Sequence, residues 1–180
     1  MPVRVRISLL CAMAFLGMGC LWLQSGSERP NRDEPQTGSH SAEIRTDVNG
    51  LMNIVRLEYE PVDVTWQEFS IGDNVFGPAD YFLKAVLIYY DPEIVMEIRA
   101  AAVEEDPARQ VAETFAGTPF IEAWFPDSVV QHLVPAVDEP GILTIDVPTY
   151  DIESLGVTAW ADGYFFIADD QTIFLYCNTR

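Results

Sequence analysis

The chain has 180 residues, of which 28 are Asp or Glu and 10 are Lys or Arg, for a formal charge of −18. A field of that sign repels nucleic-acid backbones and anionic lipid surfaces, disfavours phosphate binding, and attracts basic partners and cations. Apolar residues make up 49% and aromatic residues 12%, enough to fill a core and too many for an intrinsically disordered chain.

The first element is the N-terminal 26 residues. Arg4 and Arg6 precede residues 7–23, which are almost unbroken apolar sequence, and polar Gln24-Ser25-Gly26 follows. A positive start, a short apolar stretch and small residues near its end are the layout of an export signal. Leu16-Gly17-Met18-Gly19-Cys20 resembles the lipobox of bacterial lipoproteins, in which small residues precede a cysteine that is lipidated and becomes the new N-terminus. That family usually has leucine three residues before the cysteine. Here the position is Gly17, with Leu16 one place earlier, while Gly19 fits. The resemblance implies acyl chains such as palmitate on Cys20 and attachment to a membrane. Two other readings stay open. Residues 7–23 reach the short limit for an uncleaved membrane-spanning helix, and Gly17-Met18-Gly19 or Ser25-Gly26-Ser27 would serve ordinary cleavage and release. In all three the arginines stay cytoplasmic and the acidic part lies outside. Arg4 and Arg6 account for two of the ten bases, so the part beyond Cys20 sets 28 acids against eight bases, about −20.

Residues 25–48 read as a polar tether with almost nothing to bury. Residues 49–180 are then one acidic domain. Met52 to Glu60 ends in alternation and predicts a strand, closed by Pro61. Val62 to Phe69 alternates again and predicts a second. Residues 71–80 form a loop, and Tyr81 to Tyr90 is an apolar run that predicts a central strand with both faces covered. Asp91-Pro92-Glu93 supplies a capping Asp, a Pro at the first helical position and an acid in the first turn. Asp106-Pro107 repeats the device and predicts a second helix through Phe115, ended by Gly117. Thr118-Pro119 predicts a third, short one through Trp124. Residues 129–134 are apolar and ambiguous in type. Strands are expected at Ile142 to Val147, at Val157 to Trp160, and in a hairpin formed by residues 163–167 and 172–176 around Ala168-Asp169-Asp170-Gln171. Strands, then helices, then strands give an α+β fold, an antiparallel sheet with two or three helices packed on one face.

The chemistry-bearing residues are sparse. With two histidines, His40 in the tether and His132 alone, and no cysteine pair, a zinc site has no nucleus. Cys177 ends an apolar run and is expected buried. Ser128 and His132 lie four apart beside Asp127 and are the one arrangement resembling a hydrolase centre, although Ser128 after Pro126-Asp127 also reads as a helix cap. Loop acids Asp73, Asp138-Glu139, Asp151 with Glu153, Asp162 and Asp169-Asp170 are oxygen donors of the kind calcium takes, without the spacing of an EF-hand. Glu104-Glu105-Asp106 reads as a solvated capping cluster. The loop bearing Asp73, Asn74 and Phe76 is the candidate for partner contact, because loops held by a sheet often carry binding and Phe76 is apolar on an acidic protein.

Gly77-Pro78-Ala79-Asp80-Tyr81, Trp124-Phe125 and the aromatic C-terminal hairpin look like those of small exported bacterial proteins with no assigned activity, and that resemblance implies no function. The expectation is a non-enzymatic, membrane-tethered domain that binds a basic protein partner of the cell envelope, without cofactor or nucleic acid. The alternatives are an envelope hydrolase using Ser128 and His132, and a calcium-binding domain using the loop carboxylates.

Overall fold

The computed structural model describes residues 43–71, 80–115 and 118–179. The export segment with Cys20, most of the tether, and the loop holding Asp73, Asn74 and Phe76 lie outside them. The described residues all fall within one compact unit, Thr37–Arg180. In chain order the elements are α1 (Val48–Val55), β1 (Asp63–Ile71), β2 (Asp80–Ile88), α2 (Pro92–Ala101), β3 (Glu104–Asp106), β4 (Gln110–Ala112), β5 (Thr114–Phe115), β6 (Thr118–Pro119), α3 (Asp127–Val130), β7 (Leu133–Pro135), β8 (Ile142–Ile145) and β9 (Thr149–Asp151). A 3₁₀ turn (Ile152–Leu155), β10 (Asp162–Ile167) and β11 (Thr172–Asn178) complete the series.

The architecture is α+β. Six strands form one antiparallel sheet in the order β1-β2-β11-β10-β9-β3, a smaller sheet runs β4-β8-β7, and β5 pairs β6. Side chains on a strand alternate between faces, and the alternation here sorts the core into two clusters. Leu83, Ala85 and Leu87 of β2, Ile173, Leu175 and Cys177 of β11, and Phe165 and Ile167 of β10 join the first cluster with Leu51 and Val55 of α1 and Val95 and Ile98 of α2. Their neighbours Val86, Phe174, Tyr164 and Phe166 join the second with Val129 of α3, Leu133 of β7 and Leu143 and Ile145 of β8. Both faces of β2 are therefore buried, which explains its long apolar run, interrupted only by Lys84. The helices do not share one side: α1 and α2 contribute to the first cluster and α3 to the second.

Four sequence expectations fail for local reasons. The strand expected over Met52 to Glu60 is α1 and the turn after it. Leu51 and Val55, four apart, are both fully buried, and helical spacing wins over the short alternation. Arg56 ends the helix at φ 52°, its N–H bonded to Met52 O at 3.1 Å. The helix expected from Asp106-Pro107 is a turn between β3 and β4. The Asp106 carboxylate accepts from Ala108 N at 3.0 Å, the turn-forming bond that Asp offers as readily as a cap. Thr118-Pro119 begins no helix either, since β6 pairs back on β5. Val157 to Trp160 is not a strand. The strand in that region is β9, only three residues long, and it lies inside the sheet against β10.

The expectations at Asp91-Pro92 and in the C-terminal hairpin hold. Asp91 accepts from Glu93 N at 2.9 Å at the start of α2, and β10 pairs β11 in register from Asp162–Asn178 to Ile167–Ile173. Cys177 is fully buried, and burial pushes its thiol well above the usual range.

Candidate functional site

The second face of the sheet carries the most unusual side chain. Lys84, the only lysine in the chain, sits mid-strand in β2 with its side chain 3% exposed. Its three N–H donors are all used: Pro119 O at 2.8 Å, Phe120 O at 3.1 Å and Glu122 Oε1 at 2.7 Å. Rings of Phe69, Phe120 and Phe125 lie 5.3–6.0 Å from its Nζ, within cation–π range. Burial lowers the pKa of the amine, and the bond and charge of Glu122 work against that shift. With every donor spent, Lys84 is a clamp that fastens residues 119–122 to the sheet, not a reactive amine.

His132 and Ser128, the pair a hydrolase would need, are committed elsewhere. The imidazole faces Asp146 Oδ1 at 2.8 Å through Nδ1 and Ala168 O at 3.0 Å through Nε2. Ser128 bonds to Asp169 in the β10–β11 turn. Burial pushes the Asp169 carboxyl up, but bonds from Gln171 N, from Thr172 and from Ser128 outweigh it and hold the group below its ordinary value. A nucleophile and its base need a mutual hydrogen bond. Here both side chains instead tie α3 and β7 to the β8–β9 connection and the hairpin turn.

The acids behave differently at the far side of the sheet. A cleft of about 150 Å³ is lined by Glu105 of β3, Asp151 at the end of β9, Glu153 in the 3₁₀ turn, and Trp160, Asp162 and Gly163 at the entry to β10. Its walls are fixed by backbone chemistry. Asp151 accepts from Glu153 N at 2.9 Å and caps the 3₁₀ turn, and Gly156, at φ 82°, closes it. Asp162 accepts from Gly163 N at 2.8 Å. Gly163 pairs with Cys177 across the ladder, where an added Cβ would lie 2.4 Å from Tyr176 O, so only glycine lets β10 enter the sheet here. Of the four carboxylates, Glu105 pairs with Arg109. Asp151, Glu153 and Asp162 take part in no ion pair among the described residues.

Among the described residues no group of three or more His, Cys, Asp or Glu is placed to hold a metal ion. Calcium needs six to eight oxygens gathered at about 2.3–2.6 Å from one point, and the cleft acids ring a space instead of meeting at one. A half-buried indole with carboxylates around it suits a larger, softer cation, a guanidinium or an alkylammonium. Asp151, Glu153 and Asp162 are legible in the sequence as loop acids. Glu105 reads there as helix-capping and Trp160 as part of a strand, because the pairing that brings them to the same edge, β3 on β9, leaves almost no periodic trace.

Cys20, Asp73, Asn74 and Phe76 lie outside the described residues. No helix among the described residues is long and apolar enough to cross a membrane. No family model, curated protein or solved structure matches the chain.

Proposed function

We propose that the protein is a non-enzymatic, exported, membrane-tethered binding domain of the bacterial cell envelope whose acidic cleft receives a basic side chain of a protein partner. The observation that carries this reading is the cleft itself: three carboxylates outside any ion pair among the described residues line it with Trp160 and Glu105, on a chain of formal charge −18. Tethering is supported by the N-terminal sequence alone, with Cys20 as the lipidated residue. The loop of Asp73, Asn74 and Phe76 is proposed as a further partner contact. The hydrogen bonds of His132 to Asp146 and Ala168 and the spread of the carboxylates among the described residues favour this reading over a hydrolase or a calcium site.

Calorimetry with a lysine- and arginine-rich peptide tests the binding. Affinity should fall as salt rises, because exposed charges are screened beyond about 10 Å at 0.1 M, and Glu153→Gln/Asp162→Asn should weaken it about tenfold. Binding that ignores both salt and the double variant would remove the reading. Intact mass of the protein from host membranes tests the tether: a chain starting at a lipid-bearing Cys20 is expected, and an unmodified mature chain would contradict it.

A further inference from the structure

β1 ends the six-stranded sheet and bonds to β2 on one side only. On its outer side, Arg45 N donates to Trp66 O and Trp66 N to Arg45 O, each at 2.8 Å. That exchange fixes the phase of the strand. The backbone groups of Val64, Trp66, Glu68 and Ser70 point out of the sheet, and those of Thr65, Gln67 and Phe69 point to β2. Val64 N is capped by the Asp63 carboxylate at 2.8 Å, and Trp66 is covered by Arg45. The outward N–H and C=O groups of Glu68 and Ser70 have no hydrogen-bond partner among the described residues.

Proteins usually blunt such an edge with proline, lysine, a bulge or a cover. β1 has none of the first three, and its nine residues pair with β2 without a register shift. Half the edge is thus closed by Arg45 and Asp63, and half is left open among the described residues. The one charge on the open half is Glu68. An acid there repels a second copy of this acidic chain and favours a basic strand, since opposite charges side by side on a sheet attract and like charges repel.

We infer that the open half of β1 takes an extended, basic segment of a partner protein, which adds as a short strand through the outward groups of Glu68 and Ser70. This goes beyond the cleft, because β1 and β3 are opposite ends of the strand order and the two contacts stand or fall separately.

The test uses the full chain and a nine-residue peptide of alternating Arg and Thr, with a Glu/Thr peptide as control. With the Arg/Thr peptide, amide exchange at Glu68 and Ser70 should slow about tenfold while Trp66, already bonded, is unchanged. Ser70→Pro deletes one outward N–H that β2 does not use, so the variant should melt within a few degrees of the parent yet lose the peptide. The inference is overturned by slow exchange at Glu68 and Ser70 without peptide, by unchanged exchange at about 1 mM peptide, or by equal binding of the Glu/Thr control. Undiminished binding to a folded Ser70→Pro protein would overturn it too. The exchange measurement stands on the unaltered chain even where the proline variant fails to fold.

Discussion

The two faces of the central sheet are buried by different means. The first, covered by residues of α1 and α2, is aliphatic: Leu51, Val55, Leu83, Leu87, Val95, Ile98, Ile173 and Leu175 surround Trp66. Its polar atoms find near partners, with Trp66 Nε1 donating to Asp47 O at 3.3 Å and Tyr89 Oη to Tyr59 O at 3.3 Å. The second is aromatic and polar. Phe120, Phe125 and Phe166 ring Phe174 at centroid distances of 5.1–6.0 Å, and Tyr164 stacks on Tyr176 at 5.3 Å. Within it lie the Lys84 clamp and the buried atoms Tyr164 Oη and Trp124 Nε1, which have no hydrogen-bond partner among the described residues. Helices supply their own backbone bonds and need only an apolar stripe. The short strands and turns over the second face leave carbonyls such as Pro119 O and Phe120 O facing inward, and a buried cation is one way to satisfy them.

The largest expected effect follows from that contrast. Lys84→Ala should cost about 3–5 kcal/mol in denaturant unfolding, because it strands Glu122 and two carbonyls. Lys84→Met with Glu122→Leu should recover part of that loss. If Lys84→Ala costs under about 1 kcal/mol, the clamp is not holding residues 119–122. Next come neighbours on β11 that face opposite ways. Phe174→Ala should cost about 3–5 kcal/mol and Leu175→Ala about 2–5 kcal/mol, and only Phe174→Ala should perturb the near-ultraviolet dichroism of the aromatic cluster. Equal aromatic signals in the two variants would break the division of the core into two faces.

Legibility in the sequence follows the same line. The first face rests on long or strongly patterned elements, so β1, β2, α2 and the β10–β11 hairpin can be read from alternation, Asp91-Pro92 and turn residues. α1 reads as a strand because Val55, Leu57 and Tyr59 alternate at its end, while its own helical stripe of Val48, Leu51 and Val55 spans only two turns. The second face is covered largely by β4 to β8, each two to four residues long, too short for any period to show. Asp106-Pro107 and Thr118-Pro119 then mislead, since Asp and Pro open turns as readily as helices. The candidate site suffers from the same cause. Its acids are visible one by one, but their assembly depends on β3 meeting β9.

A smaller effect is expected at the β10–β11 turn. Asp169→Asn should cost about 1 kcal/mol near neutral pH by weakening bonds from Gln171, Thr172 and Ser128. The carboxyl is held below its ordinary value of 3.8, so its stabilisation is present above that value and disappears as pH falls through the lower folded-state value. Melting curves of parent and variant should therefore converge in acid. A gap that persists or widens there would show that the bonds to the ionised carboxylate are not the source.

The smallest effect on stability and the most direct test of function meet at the cleft. Glu153→Gln, an exposed change, should leave stability within about 0.5 kcal/mol. The decisive measurement is a map of amide chemical shifts while argininamide, too small to form a strand, is titrated into the protein at low and at high salt. The account predicts shifts confined to Glu105, Asp151, Glu153 and residues 160–163, weakened by salt and by Glu153→Gln. Shifts scattered over the acidic surface, or none at the cleft, would contradict it.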